Sequence, residues 1–263
     1  MKAYWAIFSA RFRVLLQYRT AAIAGFGTQL FWGFIRMMIF TAFYQSTTVA
    51  QPMTLRETII YIWLGQALLL LLPWNMDREI ANTIVTGNVV YELVRPLDLY
   101  WHWFCRVIAM RTAPVLFRAV PMFLVAGLFL GLEPPPSWAS AGVFLLSAFS
   151  ALLLSGAITT LSSISLFWTI SGEGIFRFLP SISVIFSGLI VPLPLFPDWA
   201  QPIVNFLPFR GIMDVPFRLY MGNFSPEQAP QLILHQLVWT AALVVLGRIL
   251  LAKGVRRIVI QGG

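Results

Sequence analysis

The chain has 263 residues, of which 59% are hydrophobic and only 11% charged, and its mean hydropathy is +0.79. A soluble domain of this size carries about a quarter charged residues, so a water-soluble globular fold is excluded. The net charge of +8 does not mark a nucleic-acid binder, because Lys and Arg fall at the ends of apolar runs rather than on one polar face.

Residues 1–20 read as an amphipathic helix lying in the membrane interface. Trp5, Phe8, Phe12 and Leu15 recur at helical spacing on one side, with Ser9, Arg13 and Gln17 on another. A plain extension of the first span is the alternative, whereas a cleaved signal is disfavoured by Arg11, Arg13 and Arg19. Six segments then have the length, about 17–25 residues, that crosses a hydrocarbon core: 21–44, 58–74, 107–131, 138–168, 175–196 and 232–251. The last runs into Arg248, Lys253, Arg256 and Arg257, and cations flanking a span stay on the cytoplasmic side. An even number of spans places the N-terminus there too. On this topology thirteen cations lie inside and only Arg56, Arg210 and Arg218 outside, with Glu57, Glu133, Asp198, Asp214 and Glu227 also outside and Arg36 and Arg118 within spans.

The one long cytoplasmic loop, 75–98, has the marks of a short helix: Asn75 can cap it, Asp77 and Glu79 suit its positive first turn, Ile80 and Ile84 share a face, and Gly87 can end it. Arg95-Pro96 breaks the chain before a second amphipathic stretch, 99–111. Two readings stand side by side, a rigid lever for a cytoplasmic partner and a solvated turn. On the outer side, residues 189–209 are apolar enough for lipid, yet Pro192, Pro194, Pro197, Pro202 and Pro208 forbid one continuous helix. A re-entrant helical hairpin fits, with Asp198 capping its second half, followed by an interfacial segment at 210–221.

Polar residues within spans are candidates for a substrate path: Gln29 and Arg36 in span 1, Gln66 in span 2, and Ser181, Ser183 and Ser187 in span 5. Helix packing competes with that reading, most clearly in the small-residue stripe Ser155, Gly156, Thr159, Thr160 and Ser163 of span 4. Arg111 and Arg118, seven apart, are expected to snorkel to the interface. His102 and His235 fall on opposite sides, so no shared metal site is expected, and the lone Cys105 excludes an intrachain disulfide. No carboxylate lies well inside an apolar span, which argues against an ion-coupled secondary transporter. No nucleophile–base spacing appears, which argues against an intramembrane enzyme.

The run Ser187-Gly188-Leu189 followed by Pro192, Pro197 and Trp199, and then Leu207-Pro208-Phe209, resembles the outer signature of type-2 ABC exporter permeases. The loop from Gly87 to Glu92-Leu93-Val94-Arg95-Pro96-Leu97-Asp98 and the tail Arg256-Arg257 to Gln261-Gly262-Gly263 resemble a branch of small six-span permeases in that superfamily. The resemblance implies dimerisation with a second permease copy or a related permease, and a coupling helix in the 75–98 loop that docks a separate ABC ATPase. Asp77, Arg78, Glu79, Ile80, Ile84, Arg95 and Pro96 are the residues expected to serve that coupling. The chain has no Gly-x-x-x-x-Gly-Lys-[Ser/Thr] phosphate loop, so ATP and Mg are expected on the partner ATPase, with no cofactor, metal or catalytic residue here.

The expectation is therefore an all-α integral membrane protein with six transmembrane helices, an N-terminal interfacial amphipathic helix and an outer re-entrant helical hairpin between spans 5 and 6. As the permease of an ABC exporter in the bacterial inner membrane, it would move a hydrophobic or amphipathic substrate. An ion-coupled carrier and a non-transporting scaffold are the alternatives.

Overall fold

Apolar runs fold as helices here because a helix satisfies its own backbone N–H and C=O groups without water. A computed structural model describes residues 2–17, 19–169 and 173–257, without the side chains of 19, 21–22 and 173–177, and no strand occurs among the described residues. In chain order the helices are α1 (Lys2–Leu15), α2 (Arg19–Ser46), α3 (Leu55–Ala67), α4 (Arg78–Val85), α5 (Val89–Leu93) and α6 (Leu99–Phe129), then α7 (Trp138–Ile164), α8 (Glu173–Phe186), α9 (Gln201–Phe206), α10 (Asp214–Met221) and α11 (Ala229–Val255). The tail motif at Gln261-Gly262-Gly263 lies outside the described residues.

Among the described residues, four segments are long and apolar enough to cross a membrane: Ile23–Ser46, Leu99–Phe129, Trp138–Phe167 and Pro226–Val255. They correspond to expected spans 1, 3, 4 and 6. The segments expected as spans 2 and 5 are shorter helices. α3 has 13 residues, about 20 Å of rise, and passes into a tight turn at Leu69–Leu71 before Pro73. α8 has 14 residues, with Pro180 inside. The amphipathic stretch 99–111 is no separate element either; it is the start of α6, whose 31 residues run unbroken through Pro114 and Pro121.

α3 lies at the centre. Ile60 to Ala67 are all buried, against Met122 and Ala126 of α6, Leu154 and Ile158 of α7, and Phe217 of α10. A short helix apolar all round suits a position enclosed by other helices. The small-residue stripe of α7 serves close approach: a Cβ on Gly156 would sit 2.5 Å from Ile108 of α6, which is why glycine stands where these two helices cross.

The proline-rich segment after α8 folds as a tight turn at Leu193–Leu195, α9, and a second turn at Pro208–Gly211. The Gln201 amide donates to the carbonyls of Leu193 (2.9 Å) and Phe196 (3.0 Å), clipping the two halves together. Asp198 does not cap α9: the N-cap is Ala200, with no side-chain bond, and Asp198 stays exposed. The turn at Pro208–Gly211 is held by the buried Gln236 of α11, which donates to Gly211 O (2.6 Å) and to Ser147 O of α7 (3.1 Å). Asp214, one of the acids expected on the outer side, is fully buried and accepts from the Tyr61 hydroxyl at 3.3 Å.

Candidate functional site

Residues 75–98 form a charged structure at the end of the bundle where α6 begins and α11 finishes. The helix α4 is capped by Asp77 rather than Asn75: Asp77 Oδ1 accepts from the backbone of Glu79 (2.9 Å) and Ile80 (3.4 Å). Thr86 closes it, and Gly87, at φ 75°, turns the chain through the left-handed region that glycine enters without strain.

Two arginines from other helices grip the first turn. Arg11 of α1 lies 2.6 Å from Glu79 and 3.6 Å from Asp77; Arg106 of α6 lies 3.2 Å from Asp77 and 2.5 Å from Glu79. The Asp77 side chain is wholly buried in this cage. Burial pulls the Glu79 carboxyl upward, but the hydrogen bond from Arg11 and the charges of Arg106 and Arg11 outweigh it and hold the group below its usual 4.5. A carboxylate depressed in the fold contributes stability above its unfolded pKa that is lost as pH falls through the folded one. The contact between α1 and α4 is therefore expected to loosen below about pH 4.5. Spin labels at Ser9 and Asn82 should report a broader distance distribution at about pH 4 than at pH 7, and Glu79→Gln should show that breadth already at pH 7.

The rest of the loop is tied down as well. The Trp103 indole N–H donates to Glu92 (2.6 Å), Arg248 of α11 pairs with Asp98 (3.1 Å), and the Asp98 N–H donates to the Tyr4 hydroxyl of α1 (3.1 Å). Glu92 and Asp98 thus attach the loop to α6, α11 and α1, while Arg95 and Pro96, expected to serve the coupling, are exposed.

Ile80 and Ile84 do share a face, but it points inward, packed with Tyr100, Trp103, Ile164 and Leu166. They anchor α4 and present no apolar surface to a partner. Outward-facing apolar groups are instead Val85 (60% exposed), Tyr91 (71%) and Val94 (79%), beside exposed Arg78, Asn82 and Arg95. Helical phase alone pairs Ile80 with Ile84 without saying which way the pair faces. The signal for Tyr91 and Val94 was their place as apolar residues within a polar loop.

Behind α4 the broken end of the second apolar run is finished by side chains. Pro73 has no N–H for the Leu69 carbonyl, which receives the Trp74 indole N–H instead (2.9 Å). Arg111 donates to Leu70 O (3.3 Å), Leu72 O and Asn75 O (3.3 Å) and to Thr159 of α7, and Ser155 donates to Leu71 O. Arg111 is buried and does not snorkel; the Leu70 and Asn75 carbonyls, which no backbone N–H among the described residues reaches, draw it inward. Pro73 terminating an apolar run was the sequence signal for such donors.

Two cavities adjoin this break. One, of about 450 Å³, is lined by Arg78 and Asn82 of α4, Thr159 and Ser162 of α7, and Pro180 of α8. The other, of about 620 Å³ and mostly apolar, lies between α2, α3 and α8; Gln29, Arg36 and Gln66 all line it. Trp74 borders both. The three serines expected with them stay apart from this lining. Ser183 and Ser187 bond carbonyls of their own segment, Leu179 (2.8 Å) and Val184 (3.3 Å), and Ser181 is exposed.

The sequence pattern of the family described as ABC-2 family transporter protein matches residues 30–262. Relatives in two strains of Mycobacterium tuberculosis, each named probable doxorubicin resistance ABC transporter permease protein DrrC, are 32% identical over 127 residues. That stretch is 48% of this chain and 42% of each relative, so the match spans less than half of either protein. The pattern match begins within α2, runs beyond α11, and takes in the 75–98 loop, part of the first apolar helix of spanning length and the other three; the chain is a multi-pass membrane protein and belongs to the ABC-2 family of transporter proteins.

Proposed function

We propose that the chain is the permease subunit of an ATP-driven ABC exporter. Separate ATPase chains bind ATP and Mg, a second permease copy or related permease completes the path, and the substrate is hydrophobic or amphipathic. The termini face the cytoplasm of a bacterium whose inner membrane holds the protein, in keeping with the cation bias of the sequence. Six spans are retained in this reading. α3 with its turn and α8 with its successor are short, but broken helix at membrane depth is tolerated where protein surrounds it. Residues 189–209, folded back by the Gln201 clip, form the outer re-entrant element.

The carrying observation is the 75–98 loop, gripped by α1, α6 and α11 while it turns Val85, Tyr91 and Val94 outward. A patch that docks an ATPase must be apolar enough to bind, and it must be rigid enough that displacement of the partner moves spans rather than the loop alone. Closure of the ATPases on ATP would push α4 and α5, and through Arg106 and Trp103 would move α6.

Buried interface anchors commonly lose about 2 kcal/mol or more on truncation. Val94→Asp and Tyr91→Ala are therefore expected to cut co-purification with the ATPase by about tenfold or more and to abolish transport in liposomes, with melting unchanged. Ile84→Asp should instead destabilise the chain itself. Wild-type ATPase recovery by Val94→Asp and Tyr91→Ala together would remove the docking role. The ion-coupled alternative draws on the buried Asp214–Tyr61 contact, and transport driven by a proton gradient without ATPase would favour it.

A further inference from the structure

The 620 Å³ cavity between α2, α3 and α8 holds polar groups that its own walls do not satisfy. Gln29 and Gln66 are each only 2% exposed, yet neither Oε1 nor Nε2 of Gln29, nor Oε1 of Gln66, has a hydrogen-bond partner. A buried amide without partners is costly, and native interiors seldom leave such groups unpaired unless something else pairs them. Arg36 adds a charge. One of its N–H groups donates to Ile190 O (2.9 Å), but no carboxylate among the described residues pairs with it. A carbonyl accepts a hydrogen bond without neutralising the guanidinium, and a cation against an apolar wall calls for an anion.

From this we infer that the cavity binds one single-chain anionic amphiphile, its acidic head held by Arg36, Gln29 and Gln66 and its apolar body by Trp32, Phe40 and Leu69. The donors suit the head: guanidinium and carboxamide N–H groups point to carboxylate, sulfate or phosphate oxygens, and charge-assisted bonds to arginine are the stronger kind. The amide oxygens accept from a hydroxyl or amide beside that head. Size limits the tail. Pockets of about 300–1,000 Å³ enclose one drug-sized molecule, and this one cannot enclose both chains of a phospholipid. That the occupant is cargo rests on the permease reading; the binding itself does not.

The test separates the two. The purified chain in phosphatidylcholine nanodiscs, without ATPase, is titrated with radiolabelled hexadecyl sulfate, hexadecanol and hexadecyltrimethylammonium, with empty nanodiscs subtracted. Hexadecyl sulfate should bind about tenfold or more tightly than either of the others. Arg36→Gln should remove that preference, Arg36→Lys should keep part of it, and Gln29→Leu should weaken hexadecyl sulfate with unchanged melting. Equal binding of the three probes by the wild-type chain overturns the inference, whether or not any variant folds. Displacement of hexadecyl sulfate by phosphatidylglycerol at about 0.5 M salt, where surface charge is screened, overturns the single-chain assignment in favour of a bilayer lipid. If binding holds but the chain reconstituted with its ATPase does not transport hexadecyl sulfate, the site stands and its role as a cargo site fails.

Discussion

Arg111→Met is expected to destabilise the chain by about 2 kcal/mol or more. The methionine fills the space of the arginine stem but donates nothing, so the carbonyls of Leu70 and Asn75 lose their donor together, while that of Leu72 keeps the Trp74 N–H (2.8 Å). At about 1–3 kcal/mol for each acceptor left unpaired, the loss of two comes to about 2 kcal/mol or more, a sizeable part of the total stability of an ordinary domain. Arg111→Lys keeps the charge but has no planar fork to reach several carbonyls at once, and should fall between. Thermal melting in detergent measures the loss, and proteolysis after Arg78 shows whether the α4 end opens first. A Met variant that melts within about 2 °C of the wild type would mean that water or backbone rearrangement serves those carbonyls instead.

Asp77→Ala is expected to release α4 from the bundle and uncouple transport. Two contributions add. The N-cap is worth about 1 kcal/mol, and removing one partner of a buried ion pair costs about 3–5 kcal/mol. Glu79 still pairs with Arg106, so the second contribution falls toward the low end of that range. Asp77→Asn separates the two, because an asparagine caps as well as an aspartate but carries no charge for Arg11 and Arg106. A spin label at Asn82 should be mobile in the Ala variant and intermediate in the Asn variant, with ATPase-driven transport falling in the same order. If both variants transport at wild-type rate, force does not pass through the first turn of α4.

What the sequence made legible was set by one-dimensional quantities. Apolar length alone located α2, α6, α7 and α11, and helical spacing located α1 and α4. Gly87 ended α4 as its chemistry requires. What depended on the partner of a face was not legible. Ile80 and Ile84 were correctly paired, but their direction is decided by Tyr100, Trp103 and Leu166, which are near in space and distant in sequence. Arg111 looked like a membrane arginine near an interface because depth is the only variable a linear reading supplies; the carbonyls that hold it inside lie 36 to 41 residues earlier. In the expected substrate path, Gln29, Arg36 and Gln66 do converge on one cavity. Ser183 and Ser187 do not, since a hydroxyl on a helix satisfies itself on a carbonyl three or four residues back.

The unbroken course of α6 constrains what insertions this chain tolerates. Arg106 must face the acids of α4 while Arg111, five positions later, faces the carbonyls behind Pro73. One residue inserted between them turns everything beyond it by about 100° and advances it by about 1.5 Å, so one of the two arginines must leave its partners for lipid. The irregular residues 131–136 between α6 and α7 carry no such phase, and an extra residue there leaves both arginines in place and disturbs instead the buried Leu132 and the Glu133 carbonyl that accepts from Tyr220. Length change along the same hairpin is therefore unequal: between the two arginines of α6 it costs one whole set of partners, and past the helix end it costs local contacts alone.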